Sequence, residues 1–343
     1  MSFDKKEQLI LGLLHGDSRT WAAARQRLAL VKPKRRMRMR YLDEFAEKRA
    51  QSSFPVPYLH STHESVLNPT GPADVSEWFA VSMLSNKGLD LNLKPSKKQQ
   101  VWFDLTSKRE SEPLSVRGRL GTTIAMDVIH ATGSAKTAGK DNPHYFDDMA
   151  LIRALAVAVS NEDESILESE IRKELGITVS LDGIDSGVAL GFLAKGLLSG
   201  EPVSSAIPRI LKYLPEGGWS ASVVIQALDL AKVSKSIDEL GELLEKEIAD
   251  HIYSYQIAAP ETLAMACAYL AFATTREELL LGSFLNSSRS EVLTPLLWAL
   301  AGVMFGGFSS SPGVLQGVSV ASLKGLELSE IHRTASANGA LKG

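Results

Sequence analysis

Apolar residues recur three and four positions apart along most of the chain, and this helical spacing constrains the fold more than any other feature. Residues 294–305 are apolar on nearly every side, so the helix that they predict belongs in the interior of an all-helical protein. Strand-like alternation is not seen, and Gly, Pro and Ser mark the turns. The sequence therefore predicts an all-α fold with a single core of more than ten helices. They are predicted at about 5–15 (ending near Gly16), 76–85, 121–132, 148–160, 164–175, 183–199, 204–213, 220–232, 236–249, 260–273, 276–285 and 294–305.

Composition excludes several classes of protein. A chain of 343 residues with 44% hydrophobic content is long enough to bury a large core. Its formal net charge of −3 argues against general nucleic-acid binding, which needs a basic surface. The single cysteine, Cys267, excludes an internal disulfide and favours a reducing compartment. No apolar run reaches the about 18 residues of a membrane span, and the first residues lack a signal-peptide pattern. We therefore predict a cytoplasmic protein without a membrane partner.

The predicted domain organisation is one helical domain with polar insertions. The domain covers residues 1–312, with insertions at about 32–70 and 87–117, and a tail of small residues follows at 313–343. Within the first insertion, residues 32–40 carry six basic side chains in nine positions. Such a run is typical of a solvated surface, and it is also compatible with a docking site for an acidic partner.

Few residues have the spacing that catalytic chemistry needs. The seven histidines are scattered, and no zinc-binding motif occurs. Cys267 lies in the middle of an apolar helix, where a buried thiol is expected. Asp147 and Asp148 are adjacent at the start of a predicted helix, where two carboxylates can bind a divalent cation. Without further oxygen ligands nearby, an interpretation as acids stabilised by the helix N-terminus is favoured.

The order of the segments resembles the ADP-ribosylglycohydrolase family, all-α enzymes that typically use a pair of magnesium ions. The resemblance covers roughly residues 7–312. It rests on LGLLHGDSRT, with its Gly16–Asp17 turn, on GRLGTTIAMDVIHATG (118–133), on residues 177–201, and on the block 259–312. This resemblance implies an all-α fold and activity on an ADP-ribosyl glycosidic bond.

The positions at which the family binds metal have changed in this chain. The first motif, Thr-Asp-Asp-Thr, falls on a stretch that keeps one carboxylate: Pro72, Ala73, Asp74 and Val75. The second motif, Asp-Thr-Asp-Thr, falls on a stretch that begins with a cation: Arg289, Ser290, Glu291 and Val292. The resemblance therefore implies that the magnesium ions of active relatives are lost here.

A third stretch of the family, Gly-Asn-Gly ending in Met-Arg, falls on residues 147–153. Asp147 and Asp148 replace a glycine and the asparagine, whereas Arg153 is kept. The histidine of the family's Thr-His segment falls on Val179. By this alignment, we expect Asp147, Asp148 and Arg153 to bind a ligand and not a metal.

Arg289 fits the loss of metal on grounds of charge. Two magnesium ions carry four positive charges, and a guanidinium would supply part of that charge among the remaining acids. A metal ion beside Arg289 would be opposed by a Coulomb repulsion on the order of several kcal/mol at an effective dielectric near 20. We predict that Arg289 pairs with Asp74 or Glu291, with Asp17 as a further candidate. No catalytic residue is expected, and the vestigial positions are Asp17, Asp74, Arg289, Ser290 and Glu291.

The resulting hypothesis is a pseudoenzyme that binds an ADP-ribose-like ligand or a protein partner, with no cofactor. One alternative is an active hydrolase with a rearranged site, in which Asp74, Asp147 and Asp148 act as the acids. A second alternative is a scaffold that acts through the basic stretch 32–40.

Overall fold

The structure is a computed structural model of the chain. It describes residues 4–28, 131–133, 146–249, 258–286 and 290–308, together with positions 75, 78, 79, 82, 83 and 86. For residues 18–28 and 290–291 it describes the backbone alone. Over these ranges the chain forms helices and turns, and its one β-type pairing is an isolated bridge between Asp147 and Ala258. The predicted all-α fold is confirmed.

Ten α-helices lie within the described residues. They are α1 (Lys5–Leu28), α2 (Met149–Ser160), α3 (Leu167–Leu175), α4 (Leu181–Leu198), α5 (Val203–Ile210), α6 (Trp219–Val233), α7 (Ile237–Glu247), α8 (Ala259–Phe272), α9 (Arg276–Gly282) and α10 (Ser290–Phe305). The predicted helices at 164–175 and 204–213 each include a 3-10 turn, at Glu164–Ile166 and Leu211–Tyr213. The six described positions between 75 and 86 are all helical, and we refer to them as the 75–86 segment.

Helices α1 and α10 form a close antiparallel pair because glycines face each other's backbone. A Cβ atom added at Gly12 would lie 2.2 Å from the carbonyl oxygen of Trp298. One added at Gly302 would lie 2.0 Å from the carbonyl oxygen of Gln8. Residues 292–303 of α10 are all buried, as the apolar character of this stretch predicts.

The prediction that the first helix ends near Gly16 is wrong. Helix α1 continues to Leu28. Gly16 is a packing position and not a helix end, since a Cβ atom there would lie 2.6 Å from the Cα atom of Pro295. The residues that follow include three consecutive alanines at 22–24, which have the highest helix propensity.

Helices α2, α3 and α4 form a second tightly packed group. A Cβ atom on Gly187 would lie 3.6 Å from the carbonyl oxygen of Ala150, and one on Gly191 would lie 3.9 Å from that of Ala154, so α2 and α4 are parallel. Helix α3 runs antiparallel to α4, because the same two glycines face Leu175 and Ile171 in turn.

The start of α1 lies where α2 and α4 end. Lys5 Nζ donates to the carbonyl of Leu197 at 3.1 Å. Helix α10 also finishes there, because the Gln8 side chain exchanges two hydrogen bonds, of 3.0 and 2.8 Å, with the backbone of Phe308. The opposite end of the bundle is therefore the one at which these parallel helices begin.

Several sequence predictions lie outside the described residues. These are the two insertions at about 32–70 and 87–117, the tail at 313–343, and residues 121–130 of the helix predicted at 121–132. The 75–86 segment lies between the two insertions and is described in part. The division into a domain and a tail stays a prediction.

Candidate functional site

Four helices begin around Phe146, which immediately precedes the two aspartates. The carbonyl of Phe146 accepts a 2.8 Å hydrogen bond from the backbone N–H of Ala259, at the start of α8. Its ring meets Trp219, the first residue of α6, edge to face at 5.3 Å. A Cβ atom on Gly183, in the first turn of α4, would lie 3.2 Å from the Cα atom of Phe146. Helix α2 follows at Met149. We call this end of the bundle, where α2, α4, α6 and α8 begin, the helix-start end.

The adjacent carboxylates of Asp147 and Asp148 are buried, with 2% and 0% of their surface exposed. Asp147 Oδ1 accepts a hydrogen bond of 3.2 Å from the backbone N–H of Met149. Asp148 Oδ2 accepts a bond of 3.0 Å from the hydroxyl of Thr262 on α8. The pair therefore holds the start of α2 and joins it to the first turns of α8.

Arg153 lies on α2, a little over one turn after the aspartates, and its side chain is entirely buried. Its Nε atom is 3.4 Å from Glu174 Oε1 on α3. Its terminal nitrogens donate to the hydroxyl of Thr178 and to the backbone carbonyl of Glu174. The same carboxylate oxygen of Glu174 accepts a bond of 2.8 Å from the hydroxyl of Ser82. We call these four side chains, Ser82, Arg153, Glu174 and Thr178, the Arg153 network.

Burial lowers the pKa of the Arg153 guanidinium, and the negative charges of Glu174 and Asp147 oppose that effect. A buried cation stays charged when carboxylates compensate for its lost hydration. Glu174 makes the direct contact, and Asp147 adds a Coulomb attraction. Arg153 is thus electrostatically linked to the helix-start end.

Asp17 lies close to the first turns of α10. It is buried, with 5% exposed, and it directly follows Gly16, which packs on Pro295. Glu261, in the first turn of α8, is a further buried acid at the helix-start end. The structure therefore places one vestigial position, Asp17, beside the helix that Ser290 begins.

Other predicted site positions are described in part or not at all. Asp74 and Arg289 lie outside the described residues, and so does the predicted pairing between them. Ser290 and Glu291 are helical in their backbone. Val75, which follows Asp74 in the sequence, is helical and buried. Val179 is buried as well, next to Thr178 of the Arg153 network.

Glu174, Ser82 and Thr262 are site residues that the sequence did not predict. A signal for Glu174 exists, because it shares the apolar face of α3 with Leu167 and Ile171 at helical spacing. An acid in such a position is expected to be buried with a partner. No local pattern distinguishes Ser82 or Thr262 from the many other hydroxyl side chains of the chain.

A solved structure shares the fold of this chain. A structure described as an "ADP-ribosylglycohydrolase-related protein complex" matches over 97% of this chain and 97% of its own, with a TM-score of 0.54. The chain has the ADP-ribosylglycohydrolase-like fold. Sequence identity to that structure is 15%, so the likeness concerns the fold alone. No protein-family profile and no curated protein matches the sequence.

Asp147 and Asp148 are not arranged as part of a metal centre in the described part of the chain. Magnesium needs several oxygen ligands in near-octahedral geometry. Asp147 and Asp148 use oxygens for hydrogen bonds to Met149 and Thr262, and Asp147 also interacts with a cation. Among the described residues, no group of three or more His, Cys, Asp or Glu side chains is arranged to hold a metal ion. The loss of metal at Asp74 and Arg289 stays a prediction.

In the ranges that the structure covers, none of the helices combines the length and the apolar character that crossing a membrane requires.

Proposed function

We propose that this protein is a non-catalytic member of the ADP-ribosylglycohydrolase-like fold that binds an ADP-ribose-like ligand at the helix-start end. The observation that carries the proposal is the state of Asp147 and Asp148. Both are buried and both accept hydrogen bonds from neighbouring protein groups. These are the two described carboxylates on which a rearranged hydrolytic site would depend.

Hydrolysis needs carboxylates that reach the substrate. A general acid or base must come within hydrogen-bonding distance of the proton that it transfers. With 2% and 0% of their surfaces exposed, Asp147 and Asp148 support the packing of helices instead. A magnesium-dependent route would need ligands that Pro72, Ala73 and Arg289 do not provide.

Ligand binding is supported by the gathering of four helix starts. The first turn of a helix has backbone N–H groups without helical partners, and the helix dipole adds positive potential there. Phosphate groups bind favourably at such positions. ADP-ribose carries a diphosphate between its two sugars. The starts of α2 and α8 already carry the acids Asp147 and Glu261, so the start of α6, whose first turn contains no acidic residue, is the one that we propose for this group.

A protein partner is the second candidate. The solved structure with the same fold is described as a protein complex, which supports an assembly function for this chain too. The basic stretch 32–40 is the sequence feature that would attract an acidic partner.

The proposal is tested by incubating the purified protein with peptides that carry mono-ADP-ribosylated arginine or serine, with magnesium added. We expect no release of ADP-ribose above that from heat-denatured protein. Clear turnover above this control would contradict the non-catalytic assignment and favour the active alternative.

A further inference from the structure

The Arg153 network connects four parts of the chain. Ser82 belongs to the 75–86 segment, Arg153 to α2 and Glu174 to α3, and Thr178 lies between α3 and α4. Glu174 is the central residue, because its Oε1 atom accepts hydrogen bonds from both the Ser82 hydroxyl and the Nε–H of Arg153. The position of the 75–86 segment is thereby linked to that of α2.

A buried ion-pair network of this kind is weak evidence of added stability. All four side chains are buried, and Arg153 and Glu174 have no exposed side-chain surface. Removing two charges from water offsets much of their attraction, so apolar residues of similar size are often as stabilising as a buried ion pair. What an ion pair with directional hydrogen bonds adds is a defined relative position of the parts that it joins.

Arg153 and Ser82, two members of the network, are each close in the chain to a candidate site residue. Arg153 is five residues after Asp148 on the same helix, and its charge attracts Asp147. Ser82 is seven residues after Val75, which directly follows Asp74 in the sequence. A shift of the 75–86 segment along α2 would therefore change the position of Val75 relative to Asp148.

We propose that Arg153 is a positioning residue: through Glu174 and Ser82 it holds the 75–86 segment against α2, and it contacts no ligand itself. The inference rests on the proposed ligand site. From the alignment alone, Arg153 was expected to bind a ligand. We assign it a positioning role instead, because its Nε atom and both terminal nitrogens already donate hydrogen bonds within the protein.

The test uses Ser82→Ala, which removes the hydrogen bond from the 75–86 segment to Glu174 and leaves the Arg153–Glu174 pair in place. The matched control is Tyr269→Phe, which also removes one buried hydrogen bond made by a hydroxyl, here the 2.5 Å bond to Asn286. Tyr269 lies on α8, ten residues after the start of that helix, and so away from the helix-start end. Two quantities are measured in each variant: hydrogen exchange of the peptides around 75–86 and 146–160, and the Kd for ADP-ribose by calorimetry.

We expect Ser82→Ala to raise exchange in both peptides and to weaken ADP-ribose binding roughly tenfold, equivalent to about 1.4 kcal/mol. Tyr269→Phe should leave the Kd unchanged, although it removes a comparable bond. Equal affinity of Ser82→Ala and the unmodified protein would overturn the inference. If the unmodified protein does not bind ADP-ribose, the proposed function fails, and hydrogen exchange of Ser82→Ala alone then tests the inference. Faster exchange in peptide 146–160 would support the coupling between the two parts. A change confined to peptide 75–86 would refute it.

Discussion

The guanidinium of Arg153 lies 3.4 Å from the carboxylate of Glu174, and neither side chain is exposed to solvent. Glu174→Gln keeps the size of the side chain but leaves a buried cation without its closest counter-charge. We expect it to lower the free energy of unfolding by about 3–5 kcal/mol, the range for a broken buried pair. Urea denaturation followed by circular dichroism measures this change.

The control is the same substitution at Glu168, also on α3. Glu168 pairs with Arg172 at 2.9 Å, and both side chains are more than a third exposed. Solvent screens such a pair, so Glu168→Gln should cost less than about 1 kcal/mol. Similar losses for the two variants would show that the Arg153–Glu174 pair is not the buried, unscreened contact described above.

The close contact of α1 and α10 depends on Gly302. Gly302→Ala would place a Cβ atom 2.0 Å from the carbonyl oxygen of Gln8, so the two backbones must separate. We expect a loss of about 1–3 kcal/mol or more, as in other overpacked cores. Gly196→Ala in α4 is the matched control, since its new atom would meet only the movable ends of Glu201 and Arg209. Thermal unfolding should separate the two variants, and an unchanged Tm for Gly302→Ala would contradict the packing.

The thiol of Cys267 is expected to be inert in the folded protein. Burial raises its pKa to about 12, so the reactive thiolate is scarce at neutral pH. Because the folded state favours the protonated thiol, this contribution to stability is complete below the ordinary thiol pKa and declines as pH rises from there towards 12. Reaction with a chromogenic disulfide at pH 8 should proceed only through unfolding of the protein. Rapid labelling of native protein would contradict the burial.

A single back-substitution at the aligned metal position should not restore hydrolysis. Arg289→Asp removes the opposing charge, but Pro72 and Ala73 still offer no side-chain oxygen. Magnesium bound by too few protein ligands is not held in a defined place. We expect no magnesium-dependent release of ADP-ribose from modified peptides by this variant. Measurable turnover would mean that the site is far less altered than the alignment implies.

The periodicity of apolar residues was enough to predict the all-α fold, because a helix such as α10 is apolar on nearly every side and its burial can be predicted from its own sequence. The error at Gly16 has a different origin. A glycine inside a helical pattern marks either a helix end or a close helix contact, and only the position of Pro295 on another helix distinguishes the two.

The site was harder to predict than the fold. Asp147 and Asp148 are visible in the sequence as acids at a helix start, but the partner of Asp148 is Thr262, more than a hundred residues away. The same holds for Ser82 and Glu174, which are 92 residues apart. Such pairs result from tertiary packing, and local spacing contains no information about them.

Calorimetric titration with ADP-ribose, in the presence and absence of magnesium, tests the central claim most directly. A non-catalytic binding protein whose positive charge comes from its own side chains and helix starts should bind with a Kd that magnesium does not change. Binding that requires magnesium would contradict the account, because it would place a functional metal at a site that we propose has lost it. Absence of binding under both conditions would remove the ligand and leave the protein partner as the remaining candidate.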